Sequence, residues 1–344
     1  MENALVVDMG SIYTKVGLAE KEHPSVVFST LVGEPRFKKR IIQGGEAKGI
    51  FFGEEVIEHS GVLRAKYPVR RGSIHDWDLV EALLLYGMKK AGVNATETPV
   101  LFAYPPFMGA RILDKVGKIF FDSLNVPALG IFSHPYLVKQ RSSEKQGLIV
   151  ESGGGFTSIT PLIHGRELLS LSALFPIAGI DVTNQLVKVL EAKGYTFTSP
   201  AEKKIIREMK EKLCYFASDF DEEAKKGDEI QKNYTLPDGR DVTLREGRFE
   251  SPEVMYRPRE IGRAEPPLHE KIYEVIQRCD MTLQPQIVKN IILSGGNTLI
   301  SGFKERLHKE LHALLPSQMQ ENLSISKVSD PRLSVWLGGS VTAS

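Results

Sequence analysis

Apolar and polar positions along this chain follow two rhythms, and these rhythms divide it into elements. Leu5-Val6-Val7 is a continuous apolar run ending on Asp8, and Val16-Gly17-Leu18 returns after Gly10-Ser11. This predicts a buried strand, a tight turn and a returning strand. Residues 24–33 carry Val26-Val27-Phe28, a third strand. Pro99-Val100-Leu101-Phe102-Ala103-Tyr104 predicts another, stopped by Pro105-Pro106. Helical spacing takes over at 79–90, behind Asp76-Trp77-Asp78, and at 111–121, where Ile112, Val116 and Ile119 form the apolar face. It recurs at 180–192, stopped by Gly194, and from Pro200, where Ile205, Ile206, Met209 and Leu213 alternate with Arg207, Lys210 and Glu211. Residues 219–232 read as a solvated charged segment, 234–244 as a hairpin around Asp238-Gly239, and 269–278 as a helix. Ile291-Ile292-Leu293-Ser294 is a buried strand entering a Gly-Gly turn, with a helix at 302–315 behind it. Ser334-Val335-Trp336-Leu337-Gly338-Gly339-Ser340 is read as a last strand motif. Alternating helices and strands make the class α/β.

The first hairpin has a second copy. Leu148-Ile149-Val150-Glu151-Ser152-Gly153-Gly154-Gly155-Phe156-Thr157 repeats its order: apolar run, acid, any residue, Gly, two residues, aromatic, Thr. A turn of this kind offers backbone N–H groups beside Ser11 and Lys15, which suits a phosphate, and Asp8 at the strand end could hold a hydrated metal ion. One such turn is more often only a hairpin. Two copies suggest a duplicated domain holding one nucleotide.

Composition narrows the field. A chain of 344 residues, 42% hydrophobic, can bury the cores of two domains. Lys+Arg 44 against Asp+Glu 43 leaves a formal charge of +1, which gives no electrostatic reason to expect nucleic acid. Cys214 and Cys279 form no CxxC pair, so free thiols in a reducing, cytoplasmic compartment are expected. No apolar run approaches the roughly 20 residues of a membrane span. Met-Glu-Asn leads straight into a strand, with no signal peptide visible.

Several segments are more specific than the hairpins. They are Lys210-Glu211-Lys212-Leu213-Cys214-Tyr215-Phe216-Ala217, Leu293-Ser294-Gly295-Gly296 and Ser334-Val335-Trp336-Leu337-Gly338-Gly339-Ser340. Gly194-Tyr195-Thr196-Phe197, Tyr67-Pro68 with Trp77-Asp78, and Leu236-Pro237-Asp238-Gly239 support them. With these the chain resembles actin and the actin-related proteins along its whole length, whereas sugar kinases and heat-shock chaperone ATPases share only the hairpins. The resemblance implies an actin-like ATPase fold: two duplicated RNase-H-like lobes in four subdomains around a nucleotide cleft. The boundaries would be 1–29, 67–141 and 334–344 for subdomain 1, 30–66 for subdomain 2, 142–177 and 264–333 for subdomain 3, and 178–263 for subdomain 4. ATP or ADP with Mg²⁺ (or Ca²⁺) is the implied ligand. Asp8 would face the hydrated metal, with Glu151 reaching it through water. Gly10, Ser11, Ile12 and Lys15 would meet the phosphates from one lobe, and Gly153, Gly154 and Gly155 from the other. Gly179, Arg207, Lys210, Glu211, Gly295, Gly296 and Arg332 fall where the family surrounds ribose and adenine.

The hydrolysis side departs from the family. His134 stands where actins place a glutamine that orients the attacking water, Glu151 replaces an aspartate near the metal, and Ser158 replaces a histidine near the γ-phosphate. Gly154 replaces an aspartate and Ile12 a glycine. Phosphoryl transfer depends mostly on positioning and charge, so binding of ATP is better supported than its hydrolysis. His134 is either a water-orienting group or simply a helix-start histidine beside Pro135. The segment aligned with the filament plug, Arg257-Pro258-Arg259-Glu260-Ile261-Gly262-Arg263, keeps an apolar tip only at Ile261. Residues 36–49, basic and glycine-rich, take the place of the loop that grips the next subunit and are read as exposed and mobile. The sequence stops at Ser344, where actins continue through short helices that help form the cleft for profilin, cofilin and gelsolin-type partners; that cleft is expected to be incomplete. Three functions stay open: an ATP-dependent filament protein with slow or impaired hydrolysis, a non-polymerising subunit using ATP as a structural ligand, and a small-molecule kinase, for which no dedicated substrate residues are seen.

Overall fold

The computed structural model describes residues 3–36, 41–43 and 46–344. The chain divides into two compact units, Met1–Ser143 with Arg332–Ser344, and Glu144–Pro331.

The first unit is built on a five-stranded sheet of β1 (Leu5–Met9), β2 (Tyr13–Leu18), β3 (Val26–Ser29), β4 (Val100–Tyr104) and β5 (Leu129–Ser133), in the spatial order β3-β2-β1-β4-β5. β1 runs antiparallel to β2 and parallel to β4, and β4 runs parallel to β5. The sequence explains why β1 is central. Its five residues are all buried, the pattern of a strand covered on both faces. Leu5 and Val7 join a core with Val100, Phe102 and the buried side of the helix Trp77–Lys90. Val6 and Leu101 face Gly339 of the helix Ser334–Ala343. The helix Trp77–Lys90 begins where Asp76 accepts the Leu79 N–H at 3.1 Å.

The second unit repeats this plan. β6 (Gly147–Ser152), β7 (Thr157–Ile163), β8 (Ala173–Phe175), β9 (Ile291–Ser294) and β10 (Ile325–Lys327) take the same relative positions, with a two-residue strand Arg166–Glu167 as an added edge. β6 is antiparallel to β7 and parallel to β9, β8 pairs antiparallel with β7, and β9 is parallel to β10. The helices Leu268–Arg278 and Phe303–Leu314 cover the face formed by Leu148, Val150, Ile159 and Leu293. A separate apolar cluster joins the helices Gly179–Glu191 and Pro200–Leu213 to the hairpin Lys232–Thr235 and Asp241–Leu244.

Four sequence expectations are corrected. Ser334–Ala343 is a helix, not a strand. It is apolar nearly all round because it is buried nearly all round, and a short apolar run of this kind carries no period to separate helix from strand. Ile112 is exposed; the helix Ala110–Lys118 turns Val116 inward, and Ile119 follows it into a single π-helical turn, Ile119–Ser123. Ile261 is no exposed tip. It packs against the core of its own unit, in a 3-10 turn, Pro258–Ile261, closed by Gly262 at φ 72°. In the segment read as a mobile loop, residues 37–40 and 44–45 lie outside the described residues; Ile41–Gln43 and Glu46–Lys48 pair as antiparallel strands.

Candidate functional site

The two turns have the same hydrogen-bond plan. In the first unit Gly10 N–H donates to Tyr13 C=O at 3.0 Å; in the second, Gly153 N–H donates to Phe156 C=O at 3.1 Å. The cross-strand register is repeated as well. Asp8 lies opposite Lys15, and Glu151 lies opposite Ser158. The duplication therefore extends to single residues, and it also shows where the copies diverged.

In the first unit Asp8 is 2% exposed at the end of β1, and Lys15 Nζ lies 2.5 Å from its Oδ2. A carboxylate this buried needs a charged partner, and the half-buried lysine supplies one. Ser11 Oγ accepts the Gly72 N–H at 2.9 Å, which leaves the serine O–H to donate elsewhere. Gly72 has φ 76°, a left-handed turn that brings its amide to the serine. Ile12 C=O accepts from Thr30 N–H at 2.8 Å, so the turn is also fixed from behind. Chemically the arrangement combines a fixed anion, a cation and a hydroxyl donor around one glycine turn. His134 is buried as the first residue of the helix His134–Lys139, whose Ser133 caps the Tyr136 N–H at 3.2 Å.

In the second unit the glycine turn is held from its carbonyl side. Gly179 N–H donates to Gly153 C=O at 3.1 Å, and Ile180 N–H to Gly154 C=O at 2.8 Å. The helix Gly179–Glu191 thus spends its first amides on the turn itself. Lys210 is 6% exposed and donates to Gly179 C=O at 3.2 Å. Burial pulls its ammonium from the ordinary 10.5 down to about 8, with Arg207 acting in the same direction and Glu211 against it. Gly295, at φ 86°, lies so close to Ser152 that a Cβ there would come 2.2 Å from the Ser152 carbonyl oxygen. A Cβ on Gly179 would lie 3.3 Å from Lys210 Nζ and 3.5 Å from Asn297 Oδ1. The glycines keep open the space these polar groups face.

The structure thus brings Gly153, Gly154, Gly155, Gly179, Lys210, Gly295 and Gly296 to one region of the second unit, and Asp8, Gly10, Ser11, Ile12 and Lys15 to one turn of the first. Arg207 is half-buried and Glu211 exposed on the helix Pro200–Leu213, while Arg332 is exposed in the first unit. Glu151 is buried on β6, with the buried Ser158 as its cross-strand partner. Sequence reasoning gave no role to Gly72, Ser152 or Asn297, and Thr157 entered it only as the last matched position of the repeat. The Gly-Gly-Asn-Thr run behind β9 also gave a signal, and it pointed to the turn rather than to the asparagine. Among the described residues, no group of three or more His, Cys, Asp or Glu side chains converges as a metal site.

The family model of actin matches residues 1–344, the whole chain. This chain belongs to the actin family. Its α/β units, with their shared strand order, have the actin-like ATPase fold. The actin family generally binds ATP or ADP with a divalent cation, and the donors of this actin-family chain suit such a ligand: N–H-rich glycine turns, a lysine and a hydroxyl for phosphate, a carboxylate for a hydrated cation. Among the described residues no helix is long and apolar enough to cross a membrane.

Proposed function

We propose that this actin-family chain binds ATP or ADP with Mg²⁺ and acts as a cytoplasmic cytoskeletal protein, its nucleotide state tuning assembly into filaments while hydrolysis is slow. The observation that carries this reading is the pair of register-matched turns, each with an acid two residues before its first glycine. Ser11, Ile12 and Lys15 would take phosphate in the first unit and Gly153 to Gly155 in the second, with Gly179, Arg207, Lys210, Glu211, Gly295, Gly296 and Arg332 on the nucleoside. Asp8 would hold the hydrated cation, with Glu151 acting through water. The subdomain boundaries given above are part of this proposal. Slow hydrolysis rests on Ser158, which supplies no imidazole across from Glu151, and on His134, buried at a helix start.

One observation favours a second reading, a non-polymerising subunit that uses ATP as a structural ligand. The Arg257–Gly262 turn is folded onto its own unit: Ile261 joins the core, and Arg257 lies 3.6 Å from Glu260 and 3.5 Å from the buried Glu253. A segment occupied this way has little apolar surface to give a neighbouring subunit.

Sedimentation over a concentration series with Mg-ATP, with phosphate release followed in the same tubes, separates the two. A pellet above a threshold concentration, with slow phosphate release, is expected for the filament protein. A chain that binds ATP and stays in the supernatant throughout would establish the second reading. Asp8→Ala is expected to weaken Mg-ATP about tenfold, the scale of one lost charge-assisted contact; unchanged affinity would remove Asp8 from the metal site.

A further inference from the structure

Asn297 joins the turn behind β9 to the glycine turn of the second unit. It is buried, and its Nδ2 donates to Ser152 Oγ at 3.0 Å and to Met255 Sδ at 3.2 Å. Ser152 Oγ lies 2.8 Å from Thr157 Oγ1, and Thr157 Oγ1 donates to Ile177 C=O at 3.1 Å.

The direction of every proton in this chain is fixed by one end. A carbonyl only accepts, so the single Thr157 proton goes to Ile177. Ser152 must then donate to Thr157, and its oxygen is left to accept from the Asn297 amide. The relay runs Asn297 to Ser152 to Thr157 to Ile177. Ser152 and Thr157 flank the glycine turn, one at each strand end. Ile177 precedes Gly179, whose amide donates to the same turn. Asn297 lies in the turn that Gly295 and Gly296 begin. The other side of the amide, the buried Oδ1, has no hydrogen-bond partner among the described residues and would lie 3.5 Å from a Cβ on Gly179.

We propose that Asn297 is a positioning residue for the phosphate turn, acting through Ser152 and Thr157. This rests on the nucleotide reading above. The amide holds the Ser152–Thr157 strand ends at one spacing, and with them the direction of the Gly154 and Gly155 amides. The relay is a shared hydrogen-bonded arrangement of buried groups, in which one broken link leaves the others unpaired.

The test compares ATP and adenosine binding by the full chain, with Asn297→Leu, Ser152→Ala and the double variant beside the wild type. Asn297→Leu is expected to lose about tenfold in ATP affinity while adenosine changes less than twofold. Ser152→Ala is expected to show the same split, and the double variant no more than the larger single loss, because both break one relay. Equal losses for ATP and adenosine would mark Asn297 as merely structural, and unchanged ATP binding or additive losses would likewise overturn the positioning role. Should Asn297→Leu fail to fold, the ATP-to-adenosine split of Ser152→Ala alone decides. A wild type that binds neither ligand overturns the nucleotide reading itself and the positioning role with it; a binding wild type without the split overturns the positioning role alone.

Discussion

An ammonium taken out of water loses hydration that a single carbonyl only partly replaces, and Lys210 is in that position. Its proton is held to about 8 in the folded chain and to the ordinary 10.5 in the unfolded one. Between those values the unfolded chain binds more protons, so stability rises with pH across the window from about 8 to 10.5. Below 8 the burden is constant, about 3 kcal/mol by linkage. Lys210→Met is expected to raise the ligand-free stability at pH 7 by about 1–3 kcal/mol, flatten its dependence on pH above 8, and weaken ATP tenfold or more. Urea unfolding at pH 7, 9 and 10, with an ATP titration alongside, checks all three; a variant that loses stability at pH 7 would show the ammonium to be well solvated. None of this could be read from the sequence, where Lys210 sits among Arg207 and Glu211 as one more charge on a helix. Its burial comes with packing against Gly179, which is distant in sequence. Asn297 was hidden for the same reason: its partners Ser152 and Met255 are brought to it only by the fold.

At the scale of elements, the hairpins were legible because each condition they satisfy is local. A buried strand, a glycine turn and a returning strand announce themselves within about fifteen residues. The helix Pro200–Leu213 was legible too, since Ser199 and Glu202 form a reciprocal cap, with the Glu202 carboxylate held below its ordinary range by the Ser199 backbone N–H. Ser334–Ala343 was not, because its neighbours rather than its own period decide its form. Glycine shows the same division between local and distant causes. Gly117, inside the helix Ala110–Lys118, has nothing within 4 Å of its would-be Cβ, whereas that of Gly295 would collide with Ser152. Gly117→Ala is expected to stabilise by about 0.5–1 kcal/mol, and Gly295→Ala to destabilise by about 3 kcal/mol or more. Chemical denaturation of the two variants measures both; similar values would mean that the contact with Ser152 relaxes freely.

For the whole molecule the sequence was most informative where two distant segments repeat one another. The repeat at Asp8 and Glu151 foretold two sheets of the same strand order, and the family match extends over the whole chain. It did not reveal that lysine pairs with the acid of one copy while a serine merely stands opposite the acid of the other. If Mg-ATP binds the folded chain, it must stabilise it by mass action, about 2.7 kcal/mol at a hundredfold excess over Kd. The thermal midpoint is expected to rise with Mg-ATP and fall back when a chelator removes the magnesium. A midpoint indifferent to both would count against any tightly held nucleotide.

The helix Ser334–Ala343 is bound to the first strands of the chain. Trp336 Nε1 donates to Val6 C=O at 3.1 Å, Ser340 Oγ accepts the Glu20 N–H at 2.9 Å, and Gly338 lies against the Leu137 carbonyl. The second unit, by contrast, is one unbroken stretch of chain. During synthesis the order of completion is therefore inverted. The segment made first must wait, its sheet lacking one cover, until Ser334–Ala343 has followed it from the ribosome, while Glu144–Pro331 already has all its parts. A nascent chain of this design shows apolar surface for as long as the second unit is being made, and it is at that stage that a chaperone has most to cover.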